Sequence, residues 1–216
     1  MAITQNPLIG RSSGKFSGAV FQTVYSKNII RARPFKYRDK QSSEQLLQRS
    51  KFVVAQAWVI QFLLFIRTYF GNFGTSMSPY AFALGWYIKN AVIWDTDHFR
   101  IDYPAAKFSF GTLLTDIFPD EIMFFNHTYF EFIWNNNSGS GNALADDVIH
   151  FVILNTATGY HEVLNIERNM GIFADHLTSV TPGIGDKLHM WYFISRANEA
   201  FYSDTVYLGE FTALEV

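Results

Sequence analysis

The chain has no cysteine in its 216 residues, which excludes disulfides, thiol catalysis and zinc–thiolate sites. Proline is scarce, at six residues, and charged side chains make up 17%, against about 25% in an average globular protein. Long apolar runs are also missing. The stretch from Phe52 to Ile66 has 15 residues, includes Gln56 and Gln61, and is closed by Arg67, whereas a membrane span needs about 20 apolar residues. Residues 1–10 lack the basic and apolar regions of a secretory signal. What the chain does have is apolar and aromatic surface: 49% hydrophobic residues, with Phe 22, Tyr 11 and Trp 5 giving an aromatic share of 18%. Disorder is excluded for most of the length, and the aromatic excess demands either an aromatic core or faces covered by partners.

The net charge of −2 conceals a split. Residues 1–52 hold ten Lys and Arg against Asp39 and Glu44, a charge of +8. The remaining residues hold seven basic and seventeen acidic side chains, a charge of −10. Opposite signs in the two parts point to an interaction arm on an acidic body. Phe16, Val20, Phe21, Ile29 and Ile30 dilute the basic residues, which favours a protein partner over nucleic acid, since phosphate-binding arms are denser in Lys and Arg.

Local patterns divide the chain into three parts. Residues 1–41 read as a basic extended arm with strand-like alternation, held extended at Arg33 by the following Pro34. Residues 42–95 read as a helical hairpin. Ser42 caps one helix running to about Tyr69, and Ser78 with Pro79 opens a second to about Val92. In residues 99–216 the pattern changes to period two: Lys107–Phe110 and Tyr129–Trp134 alternate, Asp147–Leu154 reads as a buried strand, and Tyr160–Leu164, Lys187–Ile194 and Val206–Phe211 complete the set. Short strands separated by Gly, Asn and Pro turns indicate an antiparallel immunoglobulin- or fibronectin-like β-sandwich. The expected class is therefore α+β: an N-terminal extended arm and helical hairpin, then the sandwich.

Catalytic signatures are not expected. The six histidines have no metal-ligand spacing, Ser138–Gly141 lacks nucleophile-elbow order, and Gly183-Ile-Gly185 lacks the third glycine of a dinucleotide loop. The Asn135–Asn142 run offers oxygen ligands but lacks the closing Glu of a calcium loop, and reads as a hairpin turn. No cofactor, metal or catalytic residue is expected. Exposed aromatics could stack on sugars, with Trp134 and Trp191 the candidates, although both fit as core residues of their strands.

Several segments together resemble an uncharacterised family common in Bacteroidota and their phages. They are Gly14–Val20, Ile30–Pro34, Gln45–Arg49 with Lys51-Phe52, the Trp134–Asn142 loop, and the ending Gly185–Ser195 with Ser203–Gly209. The chain departs from that pattern in carrying Asp39-Lys-Gln-Ser42 where an Asn-Pro-x-Thr element is often seen. The resemblance implies a basic N-terminal segment and helices ahead of a sandwich, and the opening is similar to those of phage structural proteins. It supplies no catalytic residues. The reading that follows is a non-enzymatic structural protein of a virion or virion-like particle. Its partners would be other copies of itself or other particle proteins, with nucleic acid second and no membrane span. Lys15, Phe16, Arg31, Arg33, Arg38, Trp58, Phe62 and Phe65 are the expected assembly contacts. The alternative is a glycan- or protein-binding module at a bacterial surface.

Overall fold

A computed structural model describes residues 2–4, 13–24, 27–33, 41–71, 77–115, 119–124, 129–198 and 201–213. The chain divides into two compact units, Met1–Leu47 and Gln48–Val216.

In the first unit the basic segment folds on itself instead of remaining a single extended arm. Strands β1 (Ala2–Thr4), β2 (Gly14–Phe16), β3 (Ala19–Val24) and β4 (Lys27–Ala32) form an antiparallel sheet in the order β1-β4-β3-β2. The two-residue turn Ser17-Gly18 fits this pairing. Ser17 takes φ 50° there, as a primed hairpin turn requires, and Phe16 pairs with Ala19.

The second unit, from Gln48 onward, joins all but the first turn of the helical segment to the sandwich in one body. Ser42 caps α1 (Ser43–Gln61), its hydroxyl accepting from the Gln45 amide at 3.3 Å. Helix α2 (Leu63–Tyr69) follows, so the expected single helix is broken at Phe62 and bent by 79°. No proline or glycine stands at the break. Tertiary contacts fix it: Gln61 Nε2 donates to the Gly159 carbonyl at 2.8 Å, and the Phe62 ring lies 4.5 Å from His161. Gly71, at φ 68°, ends α2 in the left-handed conformation. Among the described residues no single helix is long and apolar enough to cross a membrane; α1 and α2 reach that length and apolarity only as a bent pair. Helix α3 (Pro79–Asn90) is capped by Ser78, whose hydroxyl accepts from Ala81 N.

Strand pairing then replaces helix before residue 95. β5 (Val92–Asp95) and β6 (His98–Ile101) form a hairpin closed by Thr96-Asp97, with Trp94 and Phe99 packed across it at 4.8 Å. Lys107–Phe110, expected as a strand, is an irregular strap instead. The amides of Phe108 and Ser109 both donate to Thr205 Oγ1 at 2.9 Å. Its glycine is obligatory, because a Cβ on Gly111 would lie 1.8 Å from the Tyr202 carbonyl oxygen.

The sandwich has seven strands: β7 (Pro119–Phe124), β8 (Tyr129–Trp134), β9 (Val148–Asn155), β10 (His161–Glu167), β11 (Ile172–His176), β12 (Lys187–Ser195) and β13 (Val206–Thr212). A three-stranded sheet, β11-β8-β7, faces a four-stranded one, β10-β9-β12-β13, and all pairs are antiparallel. The expected α+β class with an immunoglobulin-like sandwich is observed. Phe130, Phe132 and Trp134 meet Ile149, Phe151, Met190 and Tyr192 in the inter-sheet core, with Phe132 stacked on Phe151 at 4.2 Å.

The four-stranded sheet is covered on its other face too. Val152, Leu154, Trp191 and Phe193 point away from the sandwich core into a second core with Ala55, Trp58, Val59, Phe62, Ile66, Tyr69 and Tyr87. This explains why β9 and β12 are buried along almost their whole length while β8 alternates. The molecule's second unit is thus three layers: helices, four-stranded sheet, three-stranded sheet.

Candidate functional site

Antiparallel register places Lys15 opposite Val20, Val20 opposite Arg31, and Val24 opposite Lys27. Directly opposed residues share a face and i, i+2 neighbours share it along a strand. Lys15, Lys27 and Arg31 therefore lie on one face of the N-terminal sheet, and Arg33 continues the same alternation just past β4. All four are exposed. They are all the Lys and Arg among the described residues of β1–β4 and their turns. Phe16 belongs to β2 at the start of this turn, and Arg38 lies outside the described residues.

The helical residues expected as contacts do not share that exposure. Trp58 and Phe62 are 5% and 1% exposed, and Phe65 is packed against the same core. The sheet beneath absorbs the aromatic helices, because β12 presents Trp191 and Phe193 on the face that a lone sandwich would leave wet. What α1 and α2 do expose is a different set of apolar side chains. On α1, Val53 and Ile60 are 61% and 52% exposed at i and i+7, and on α2, beyond the bend, Leu64 is 75% exposed.

Trp134 and Trp191, the sequence candidates for sugar stacking, are buried in the two cores. Trp134 Nε1 donates to the Arg168 carbonyl, and Trp191 Nε1 to that of Tyr103, each at 3.0 Å. The Asn-rich loop is used internally. Asn136 accepts from Ser138, Asn137 from Arg168 Nε, and Asn142 spans Thr112 and Leu114. No group of three or more metal-ligating side chains occurs among the described residues.

The two buried histidines of β9 and β12 differ in setting. His150 bonds Asn165 Oδ1 at 2.6 Å and Ser195 Oγ at 2.8 Å, and stacks on Phe193. His189 sits nearer the sheet's end, 2.7 Å from Tyr207 Oη through Nδ1 and 3.6 Å from Glu210 through Nε2. This network is best satisfied with the Tyr207 hydroxyl donating to Nδ1 and the Nε2 proton facing the carboxylate. A β-bulge makes the arrangement. Met190 pairs with Gly209 but Trp191 with Tyr207, so Leu208 is the extra residue, and Gly209 takes φ 133°. The bulge shifts parity, so Tyr207 and Glu210, three apart, both reach the His189 face while Leu208 and Phe211 stay on the inter-sheet core. No period-two reading of Val206–Phe211 anticipates that, although Gly209 inside the strand is its one sequence signal.

Burial lowers the pKa of His189, opposed by Glu210, and burial likewise lowers that of His161. The Lys187 ammonium, 2.7 Å from Glu210, holds that carboxylate below its ordinary range. Both histidines are thus neutral in the fold, while in the unfolded chain they take up protons as pH falls below about 6.5. Their contribution to stability is complete above that pH and is lost as pH drops toward the folded values. Urea midpoints are expected to be lower at pH 5 than at pH 7, with a smaller difference in His189→Gln. Equal midpoints in the parent chain would rule this coupling out.

Comparison with curated proteins and with solved structures found no match. A family described as one of unknown function, DUF6266, matches residues 11–177, from just before β2 to just past the end of β11, leaving β12 and β13 outside the match. That span covers most of the chain, including the cationic sheet face, the helices and five of the seven sandwich strands: the chain belongs to the DUF6266 family.

Proposed function

We propose that this chain is a non-enzymatic assembly protein that joins copies of itself or other proteins of a virion or virion-like particle. The observation that carries the reading is the cationic sheet face, which among the described residues gathers Lys15, Lys27, Arg31 and Arg33. Residues 53–216 carry a charge of −10, so a second copy offers a complementary surface. The exposed Val53 and Ile60 of α1 and Leu64 of α2 offer apolar surface that electrostatic contacts alone do not. The virion setting rests on the similarity of the opening segment to phage structural proteins. Nucleic acid is the weaker partner for the same face, because Val20 and Ile29 interleave the cations.

Light scattering on the full chain tests the proposal. Self-association is expected at low salt and is expected to fall at high salt. The triple variant Lys15→Glu/Arg31→Glu/Arg33→Glu should weaken it at least about tenfold. A full-length chain that stays monomeric at low salt would sink the idea. Tight binding of random duplex DNA with a steep salt slope would transfer the face to nucleic acid instead.

A further inference from the structure

One end of the four-stranded sheet, beside the turn at Tyr103, carries a cleft of about 400 Å³, within the range of small-molecule sites. We propose that this cleft binds a neutral carbohydrate. Its walls come from rigid elements. Lys187 and His189 stand on β12, Tyr207 and Glu210 on β13, and Tyr103 on a helical turn at 103–105. Trp191 Nε1 pins that turn through the Tyr103 carbonyl, and the Tyr103 ring packs on His189 at 4.2 Å. The site is therefore formed before any ligand arrives.

Charge selects the ligand class. Arg100 and Lys187 are balanced by Asp102 and Glu210. An anion would meet both carboxylates, and a cation would meet the guanidinium and the ammonium. The two positive groups are already held, Arg100 by Asp95 at 2.6 Å and Lys187 by Glu210 at 2.7 Å. What these groups still offer is a set of planar forks and spare lone pairs, suited to neighbouring hydroxyls that both donate and accept. The Tyr103 hydroxyl and the Asp102 carboxylate line the cleft and make no hydrogen bond among the described residues. Burial raises the pKa of the Tyr103 and Tyr207 phenols, so both stay neutral. The half-buried rings add apolar surface for the C–H face of a pyranose. Neutral polyhydroxylated rings meet all of these features; phosphate, carboxylate and amine ligands each meet only some.

The residues lining the cleft all belong to the second unit and none to the cationic sheet, so its test is separable from that of assembly. The full chain is applied to a glycan array bearing neutral hexose and N-acetylhexosamine structures beside sialylated and sulfated ones. The best ligand and its free monosaccharides are then titrated by calorimetry. Retention of neutral glycans is expected, weakened about tenfold or more by Tyr103→Ala and by Glu210→Gln. Tyr103→Phe, which removes only the hydroxyl, should produce a smaller loss, with light-scattering behaviour unchanged in all three. Titration by the monosaccharide alone would identify a free sugar as the ligand, and binding only of the extended glycan a polysaccharide. No neutral glycan retained, retention of acidic glycans only, or binding undiminished in Tyr103→Ala and Glu210→Gln would each overturn the proposal.

Discussion

Asp147→Ala is expected to destabilise the chain by about 3–5 kcal/mol, because it leaves a guanidinium buried without its counter-charge. The side chains of Asp147 and Arg168 are both fully buried. One carboxylate oxygen accepts from Arg168 Nη1 at 2.9 Å and from the Leu144 amide at 2.8 Å; the other accepts from Arg196 Nη1 at 3.1 Å. Arg168 spends its other donors on Asn137 Oδ1 at 2.9 Å and the Leu114 carbonyl at 2.6 Å. This cluster ties the turn after β10 to the Asn-rich loop and to the segment leading into β7. Each of these hydrogen bonds joins groups within the fold, which is why the cluster reads as a clamp and not as a reactive site. Urea unfolding of the parent and variant checks the figure. Adding Arg168→Met to Asp147→Ala should recover part of the loss, since the isolated charge is then gone. A single-variant cost below about 1 kcal/mol would show that the pair is not holding the loop.

Trp58→Ala is expected to cost a similar amount, about 3–5 kcal/mol, through a cavity opened between the helix layer and the sheet. The indole lies 4.7 Å from Phe62, 5.8 Å from Tyr103, 6.1 Å from Phe108 and 6.2 Å from Trp191, ring centre to ring centre. Tyr87 lies beside it, its hydroxyl donating to the Lys107 carbonyl, and burial pushes its phenol well above the ordinary range. If Trp58 instead faced a partner, the substitution would leave the isolated chain's stability nearly unchanged and reduce self-association. Burial of Trp58 predicts the opposite: a lower unfolding midpoint, with any association proposed for the cationic sheet unchanged. Denaturation at a concentration where the chain is monomeric, together with light scattering, separates the two.

The elements that read correctly from the chain are those written in local chemistry. Ser42 and Ser78 with Pro79 mark helix starts because an N-cap needs only neighbouring amides. Tyr129–Trp134 alternates because one of its faces meets the core and the other does not. Past their first residues, Asp147–Leu154 and Lys187–Ile194 are apolar on both faces apart from His150 and His189, and their strand assignment holds, but the reason both faces are apolar lies elsewhere in the chain. Each is covered by the opposing sheet on one side and by α1 and α2 on the other. The same contact settled the aromatic surplus. Periodicity shows that the helices carry more rings than one small sandwich needs, and it is silent on whether a neighbouring molecule or the chain's own sheet covers them.

The polar cleft was hidden for a related reason. His189, Tyr207 and Glu210 look unrelated along the chain, and strict alternation would put Tyr207 and Glu210 on opposite faces of β13. The bulge at Leu208 and Gly209 brings them together, and Tyr103 arrives from a turn 86 residues before His189. Composition, charge asymmetry, helix starts and five of the seven sandwich strands were legible because propensity and alternation act over a few residues, whereas β7 and β11 were not read from the chain. The bend at Phe62, the second aromatic core and the walls of the cleft depend on which distant surfaces meet, and only the packed chain decides that.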